Sequence, residues 1–415
     1  MTNIAIKMKC AGKLLLLFVV LTWLGCSKDK KTAAPVSAPD SKDTSGVVED
    51  QPDNALGIPG AYFSDASKVR RLASATEIMD KLIACIDATP KGAVIHVNVY
   101  EFDYTPVMLA LQRAYERGVQ LQLMVDSSNE TTWRTNQATV EHLRNFIRSP
   151  SNLVLVHNDI SSNSTNHHKH VLFSALNEGG YSFKNVVFST SANFTARELT
   201  VLEDAVVLSD PDLYAAFVAN WQAMERHARS GMKDFTYRTF HSLDGATSAY
   251  FFPRRVNGAL DGKYNIPEIL DQLDEAGYSQ DTLLIGMDRW SDGSVQLGIV
   301  DRLIRMTEQG AHVEVITRYE GGPGLGTALT AKLKALRQKG ATVLFLPKPH
   351  IIHSKYMLIK GRWRGARHRV LINGTLNWAN SATQYTNNVL LVLMDSPLFD
   401  QYLNNYQAIK KAYFP

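Results

Sequence analysis

The chain is written twice. GAYFSD (60–65) returns as SAYFFP (248–253), and Glu116–Asp126 (ERGVQLQLMVD) returns as Glu308–Arg318 (EQGAHVEVITR). NHHKHVLF (166–173) returns as IHSKYMLI (352–359), and STSANFT (189–195) as INGTLNW (372–378). DPDLYAAFVANW (210–221) returns as SPLFDQYLNNY (396–406). The landmarks keep their order at an offset of roughly 185 residues, which marks two copies of one structural unit.

Each copy alternates helix and strand. In the first, Ser74 and Glu77 predict a capping box ahead of Ile78, Met79, Leu82, Ile83 and Ile86 at helical spacing. AVIHVNVY (93–100) reads as a strand, Thr105-Pro106 opens a helix that Gly118 closes, and VQLQLMVD (119–126) is the next strand. The second copy repeats the order, with strands at 282–287, 312–317 and 342–346 and helices after Asn265 and before Gly310 and Gly340. Asp210-Pro211 and Ser396-Pro397 each open a terminal helix. The expected fold is α/β: two lobes in a pseudo-twofold duplication, each a mixed, largely parallel β-sheet flanked by helices.

The chemistry lies at matched positions. His167-His168-Lys169 and His353-Ser354-Lys355 each open an apolar strand, where residues i and i+2 share a face. Each pair is followed by a second strand ending in Ser191-Ala-Asn193 or Thr375-Leu-Asn377. If the lobes pack about a twofold axis, two imidazoles, two ammonium groups, two hydroxyls and two amides converge on one pocket. Such donors suit a tetrahedral oxyanion, above all a phosphoryl group. One histidine can attack phosphorus while the other protonates the leaving alkoxide and later activates water. The lysines neutralise the phosphate, so the expectation is catalysis with no metal and no cofactor.

These paired motifs resemble the phospholipase D superfamily, with its duplicated His-x-Lys-x4-Asp signature, over the whole body of the chain. The resemblance implies a two-lobed α/β sandwich, a phosphohistidine intermediate and metal-independent phosphodiester hydrolysis or transfer. Three positions depart from the pattern. The motif aspartate is Ser174 in the first half and Lys360 in the second. The carboxylate expected eleven residues after the motif asparagine is Asp204 in the first half, with Glu203 beside it, and Asn388 in the second. On that spacing Asp204 would orient His167 and Asn388 would orient His353, which makes His167 the nucleophile and His353 the general acid and base.

The N-terminus reads as an address. Lysines precede an apolar stretch from Leu14 to Leu24, and Leu24-Gly25-Cys26 resembles a bacterial lipobox with Cys26 as the lipidated residue. Residues 27–56 have no aromatic side chain and are rich in Ser, Asp, Lys and Pro, which predicts a flexible tether with a reach of roughly 30 Å. The expected organisation is signal 1–26, tether 27–56, first lobe 57–235 and second lobe 240–415. The location expected is the cell envelope, lipid-anchored at the outer membrane or periplasmic face, or secreted. Of the net charge of +4, three lysines belong to the signal, so the body is nearly neutral and lacks the broad basic excess of a nucleic-acid-coating protein.

Other features have plainer readings. Strand alternation sets His168 and His170 opposite His167, so the three cannot share one metal ion. Gly321–Gly326 (GGPGLG) lacks the Lys-Ser/Thr of a P-loop and reads as a loop at the pocket rim. Trp290, Trp363 and Trp378 read as packing residues, Cys85 as a buried small hydrophobe, and Glu101 and Asp103 as loop residues after a strand. Arg362, Arg364, Arg367, His368 and Arg369 form a basic hairpin. The expected activity is hydrolysis of phospholipid head groups at a membrane surface by a monomer, since one chain holds both half-sites. A secreted nuclease or phosphodiesterase, a phosphatidyltransferase and an inactive binding relative are the alternatives.

Overall fold

The computed structural model describes residues 56–157, 164–230 and 235–415. The expected signal, Cys26 and the expected tether up to residue 55 lie outside them. Leu56, the last residue of the expected tether, is buried among the first-lobe core residues.

The first lobe builds seven strands: β1 (Gly60–Phe63), β2 (Val94–Val99), β3 (Gln120–Asp126), β4 (Asn152–Val156), β5 (Lys169–Glu178), β6 (Tyr181–Thr190) and β7 (Asp204–Ser209). They lie in the order β1-β7-β6-β5-β2-β3-β4. The second lobe contributes β8 (Arg238–His241) and β9 (Thr247–Phe251), then a small ribbon of β10 (Arg255–Val256) and β11 (Ala259–Leu260). There follow β12 (Thr282–Met287), β13 (His312–Thr317), β14 (Thr342–Phe345), β15 (Lys355–Trp363), β16 (Ala366–Gly374) and β17 (Val389–Met394). Their order, β14-β13-β12-β15-β16-β17-β9-β8, repeats the first sheet strand for strand and adds β8 at the edge. The duplication read in the sequence is therefore a duplication of topology.

The sheets are mixed, but they are not largely parallel as expected. Only β2-β3-β4 and β12-β13-β14 run parallel; every other neighbour pair is antiparallel. Parallel neighbours need a crossover, and each lobe has two helical ones: Thr105–Glu116 with Glu130–Phe146, and Ser294–Glu308 with Thr327–Gln338. The motif-bearing strands β5 and β15 are instead joined to β6 and β16 by tight hairpins. Gly179-Gly180 (φ 59° and 85°) and Arg364-Gly365 (φ 50° and 87°) supply the two successive positive-φ residues that such turns require.

Strand β5 is buried on both faces. Val171 and Phe173 enter the first lobe's outer core, whereas Leu172 faces a central core between the sheets. That central core unites Leu172, Val187 and Phe217 with Leu284, Leu358 and Leu371 of the other lobe. The helices Pro211–Ser230 and Leu398–Tyr413 contribute to it from either side. Asp210 Oδ1 accepts from the amides of Asp212 and Leu213, as its place before Pro211 predicts. The Ser74–Glu77 capping box does not form. The helix Glu77–Asp87 starts after Thr76, and Glu77 pairs with Lys68.

The lobes are also joined by backbone beside the motifs. His167 N donates to Asn387 O at 2.9 Å, and His353 N donates to Leu202 O at 2.8 Å. Single β-bridges, Asn166 to Asn387 and Leu202 to Ile352, complete the exchange.

Candidate active site

His167 and His353 stand two residues before β5 and β15 and both line one cavity of about 410 Å³, with Asn193 and Asn377. The convergence expected from the repeat is met. Lys169 and Lys355 lie next to the histidines but are fully buried, and each Nζ donates to the carbonyl of its own motif histidine. Burial and the charge of Lys355 push Lys169 down to about 7, and burial likewise lowers Lys355.

The groups that hold the two imidazoles come from opposite lobes. His167 Nδ1 lies 2.8 Å from Asn388 Oδ1, and His353 Nδ1 lies 2.6 Å from Glu203 Oε1. Both pairings correct the expected ones. Asp204 reaches neither histidine: its Oδ2 accepts from Tyr402 OH in the central core. The reason is a single residue. Ser191 N donates to Asp204 O as Thr375 N donates to Val389 O, so the counterpart of Asn388 is Glu203. Counting eleven residues in both halves therefore lands on the wrong face in the first lobe, since neighbouring strand residues point opposite ways.

Asn388 can only accept from His167. Its Nδ2 donates to Ala382 O at 2.9 Å and also to Thr386 Oγ1, which turns Oδ1 toward the imidazole and toward Thr375 Oγ1 at 3.0 Å. Neutral His167 must then carry its proton on Nδ1, and Nε2 keeps its lone pair. Burial, helped by the charges of Lys169 and Lys355, holds His167 well below the ordinary histidine range.

His353 is in the opposite state. Burial pulls its pKa down, but Glu203, Glu198 and Asp288 outweigh burial and raise it to about 9. Glu198 Oε2 lies 3.1 Å from Nδ1, and Asp288 Oδ2 lies 3.6 Å from Nε2. Burial and the neighbouring Glu198 push Glu203 up, while His353 and hydrogen bonds hold Glu198 well below the usual carboxylate range. Glu198, Glu203 and His353 have ligand atoms within 4.8 Å of one another, close enough to share a cation.

Ser191 and Thr375 do not face the cavity as expected. Ser191 Oγ donates to Glu203, and Thr375 Oγ1 donates to Asn388, so the hydroxyls fix the residues that hold the histidines. Asn193 Nδ2 donates to Glu198 Oε1 at 2.9 Å, and Asn377 Oδ1 accepts from Arg289 N at 3.3 Å. Sequence reasoning missed Glu198, Asp288, Arg318 and Tyr100. Asp288 follows β12 as Tyr100 follows β2. One sets a carboxylate 3.8 Å from Lys355 Nζ, and the other sets a ring 5.2 Å from Lys169 Nζ. Arg318 Nε donates to Asp288 Oδ1 from the end of β13. The matched strand ends were the signal that could have found Tyr100, Asp288 and Arg318, whereas Glu198 lies in the short helix Ala196–Thr200.

His168 and His170 meet edge to face at 4.9 Å on the central-core side, away from His167. Trp290, Trp363 and Trp378 are buried, as is Cys85, whose thiol burial pushes up to about 12. Gly324 does line the cavity, as does Glu101, while Asp103 accepts from Ala196 N. The basic hairpin is locally answered: Arg362 meets Asp274, Arg364 and Arg367 meet glutamines, His368 meets Asp395 and Arg369 meets Asp400. Ser174 Oγ accepts from Val94 N, tying β5 to β2, whereas Lys360 is exposed. Among the described residues no helix is long and apolar enough to cross a membrane.

The family model described as cardiolipin synthase, PLD-like domain, matches residues 82–224 and again 269–410. No curated protein gives a significant match to the sequence. Among solved structures, a phosphatidylserine synthase from Haemophilus influenzae is similar with a TM-score of 0.54 at 13% identity, over 85% of this chain and 86% of that one. A polyphosphate kinase from Porphyromonas gingivalis matches with a TM-score of 0.48 at 12% identity, over 79% of this chain. The matched region spans about half of that kinase, 47%. The phospholipase D family member Nuc from Salmonella typhimurium matches at 22% identity and a TM-score of 0.30, over 40% of this chain and 93% of Nuc.

Proposed function

The chain belongs to the cardiolipin synthase, PLD-like domain family, within a superfamily of phosphodiester-acting enzymes, and on that premise we propose that it hydrolyses phospholipid head groups through a phosphohistidine on His167. The observation that carries the reading is the pairing, across one cavity, of a neutral imidazole with a free Nε2 and a second imidazole held charged.

In the first step the Nε2 lone pair of His167 attacks phosphorus, and the bond from phosphorus to the leaving oxygen breaks. The proton on His353 Nε2 passes to that oxygen. In the second step His353, now neutral, takes a proton from water as the water oxygen attacks phosphorus. The P–N bond breaks and its electrons return to His167. Lys169 and Lys355 supply positive charge beneath the site, and a bound phosphate anion favours the charged form of both. The lipid-anchor reading of the N-terminus supports a membrane substrate, because tethering raises the local concentration of lipid.

The test is turnover of mixed phospholipid vesicles, single-stranded DNA and bis(4-nitrophenyl) phosphate by the purified chain in excess EDTA. Release of a free head-group alcohol supports the reading. Cleavage of DNA alone replaces it with a nuclease. Activity lost to EDTA and restored by zinc or magnesium overturns the metal-free mechanism.

A further inference from the structure

Resting on the phosphohistidine reading, the geometry of the second-lobe wall points to a substrate class. We propose that Arg289 binds an anionic group on the leaving alcohol, so that the site selects phosphodiesters whose leaving group carries its own carboxylate or phosphate. In-line attack by His167 puts the leaving oxygen on the far side of phosphorus, beside His353. The second-lobe residues that line the cavity include Arg289, Ser291, Gly324 and Asn377, and Arg289 shares Asp288 with His353.

Arg289 is not cancelled by its neighbours. Its Nε lies 3.9 Å from Asp288 Oδ2, but that carboxylate already serves Arg318 through Oδ1 and stands 3.6 Å from His353 Nε2 and 3.8 Å from Lys355 Nζ. Asp288 is thus shared among four cationic groups, of which His353 is also answered by Glu203 and Glu198. The opposite wall differs. Arg197 Nη2 is 2.6 Å from Glu101 Oε2 and 3.5 Å from Glu198 Oε1, so two acids answer one guanidinium.

The position is built for this side chain. Gly324 has φ +84°, and a Cβ there would lie 2.7 Å from Arg289 Cγ and 2.9 Å from Cδ. Only glycine leaves that channel open without displacing the arginine stem. The loop is pinned from both sides: Gly324 O accepts from Trp290 N at 2.9 Å, and Pro323 O accepts from Arg318 Nη1 at 2.9 Å. Repeat symmetry sharpens the point. Val99 and Met287 pair with Lys169 and Lys355, so Arg289 occupies the place of Glu101. The duplication carries opposite charges at the two ends of the site.

The test compares wild type, R289E and R289K on vesicles of phosphatidylserine, phosphatidylglycerophosphate and phosphatidylcholine, with bis(4-nitrophenyl) phosphate as reference. Wild type is expected to favour the carboxylate or the phosphate head group over choline by about tenfold or more in kcat/KM. Whichever anionic head group leads identifies the source of the charge. R289E is expected to reverse the preference, and R289K to keep its direction. A ratio near one in wild type, or one unchanged by R289E, overturns the proposal. Cleavage of the reference with no head-group release overturns the substrate class and leaves the phosphodiesterase chemistry standing. No cleavage of any diester overturns the reading on which both rest.

Discussion

His353 is held by Glu203, at 2.6 Å, across the boundary between the two lobes. The histidine belongs to the second copy and the carboxylate to the first, so the state of one half's imidazole is set by the other half.

Replacing Glu203 by Gln removes the nearest charge that keeps His353 protonated. The acid must hold its proton to work, so activity is lost as pH rises through its pKa, about 9 in the parent. Lowering that pKa moves the alkaline limb of the kcat profile to lower pH, by about one unit or more. A limb that stays in place would remove His353 from the role of acid.

In His353→Asn, attack on a diester with a good leaving group persists while hydrolysis of the adduct loses its base. Slowing by about 10²–10⁴-fold is expected for that step. Phosphate label should accumulate on the protein, and mass spectrometry should find it on His167. His167→Asn should carry none. Label on His353 in the His167 variant would reverse the assignment.

Asn388→Asp gives His167 the carboxylate it lacks. An opposite charge at Nδ1 raises the imidazole pKa from its depressed value by about one unit or more. The nucleophile must be neutral, so the acid limb of the rate profile moves to higher pH. An acid limb unaffected by this change would mean that another group controls it.

Burial and the charge of Lys355 hold Lys169 down to about 7, and a bound oxyanion raises that value. Above about pH 7 binding must take up a proton, so affinity falls as pH rises, by at most about tenfold per unit. Tungstate, which keeps its charge across this range, serves as the probe in calorimetry. Lys169→Met should weaken binding and flatten the slope; an unchanged slope assigns the proton elsewhere.

Much of this was legible from the repeat. The histidines, the lysines and the strands that carry them stand in matched segments of sequence, and β13 spans His312–Thr317 as its alternation predicts. The hand of the orienting groups was not legible, because it depends on a connection one residue shorter in the first lobe, which swaps Asp204 for Glu203 at the site. Nor was the exchange of backbone between lobes, since single bridges such as Leu202 to Ile352 leave no periodic trace. The parallel sheets were over-read from helix–strand alternation, where two hairpins with paired positive-φ turns decide the direction of the catalytic strands.

The fusion of the two copies has a consequence for which way round a substrate can lie. Two identical subunits would offer a diester the same residue at either end, and it could react in either of two equivalent poses. Here one end carries Asn388 and Glu101 and the other Glu203 and Arg289, so the two poses differ in energy. Covalent linkage let each copy keep its own substitutions, and the site gained a polarity that, in the proposed reaction, gives one end to the group that stays on phosphorus and the other to the group that departs.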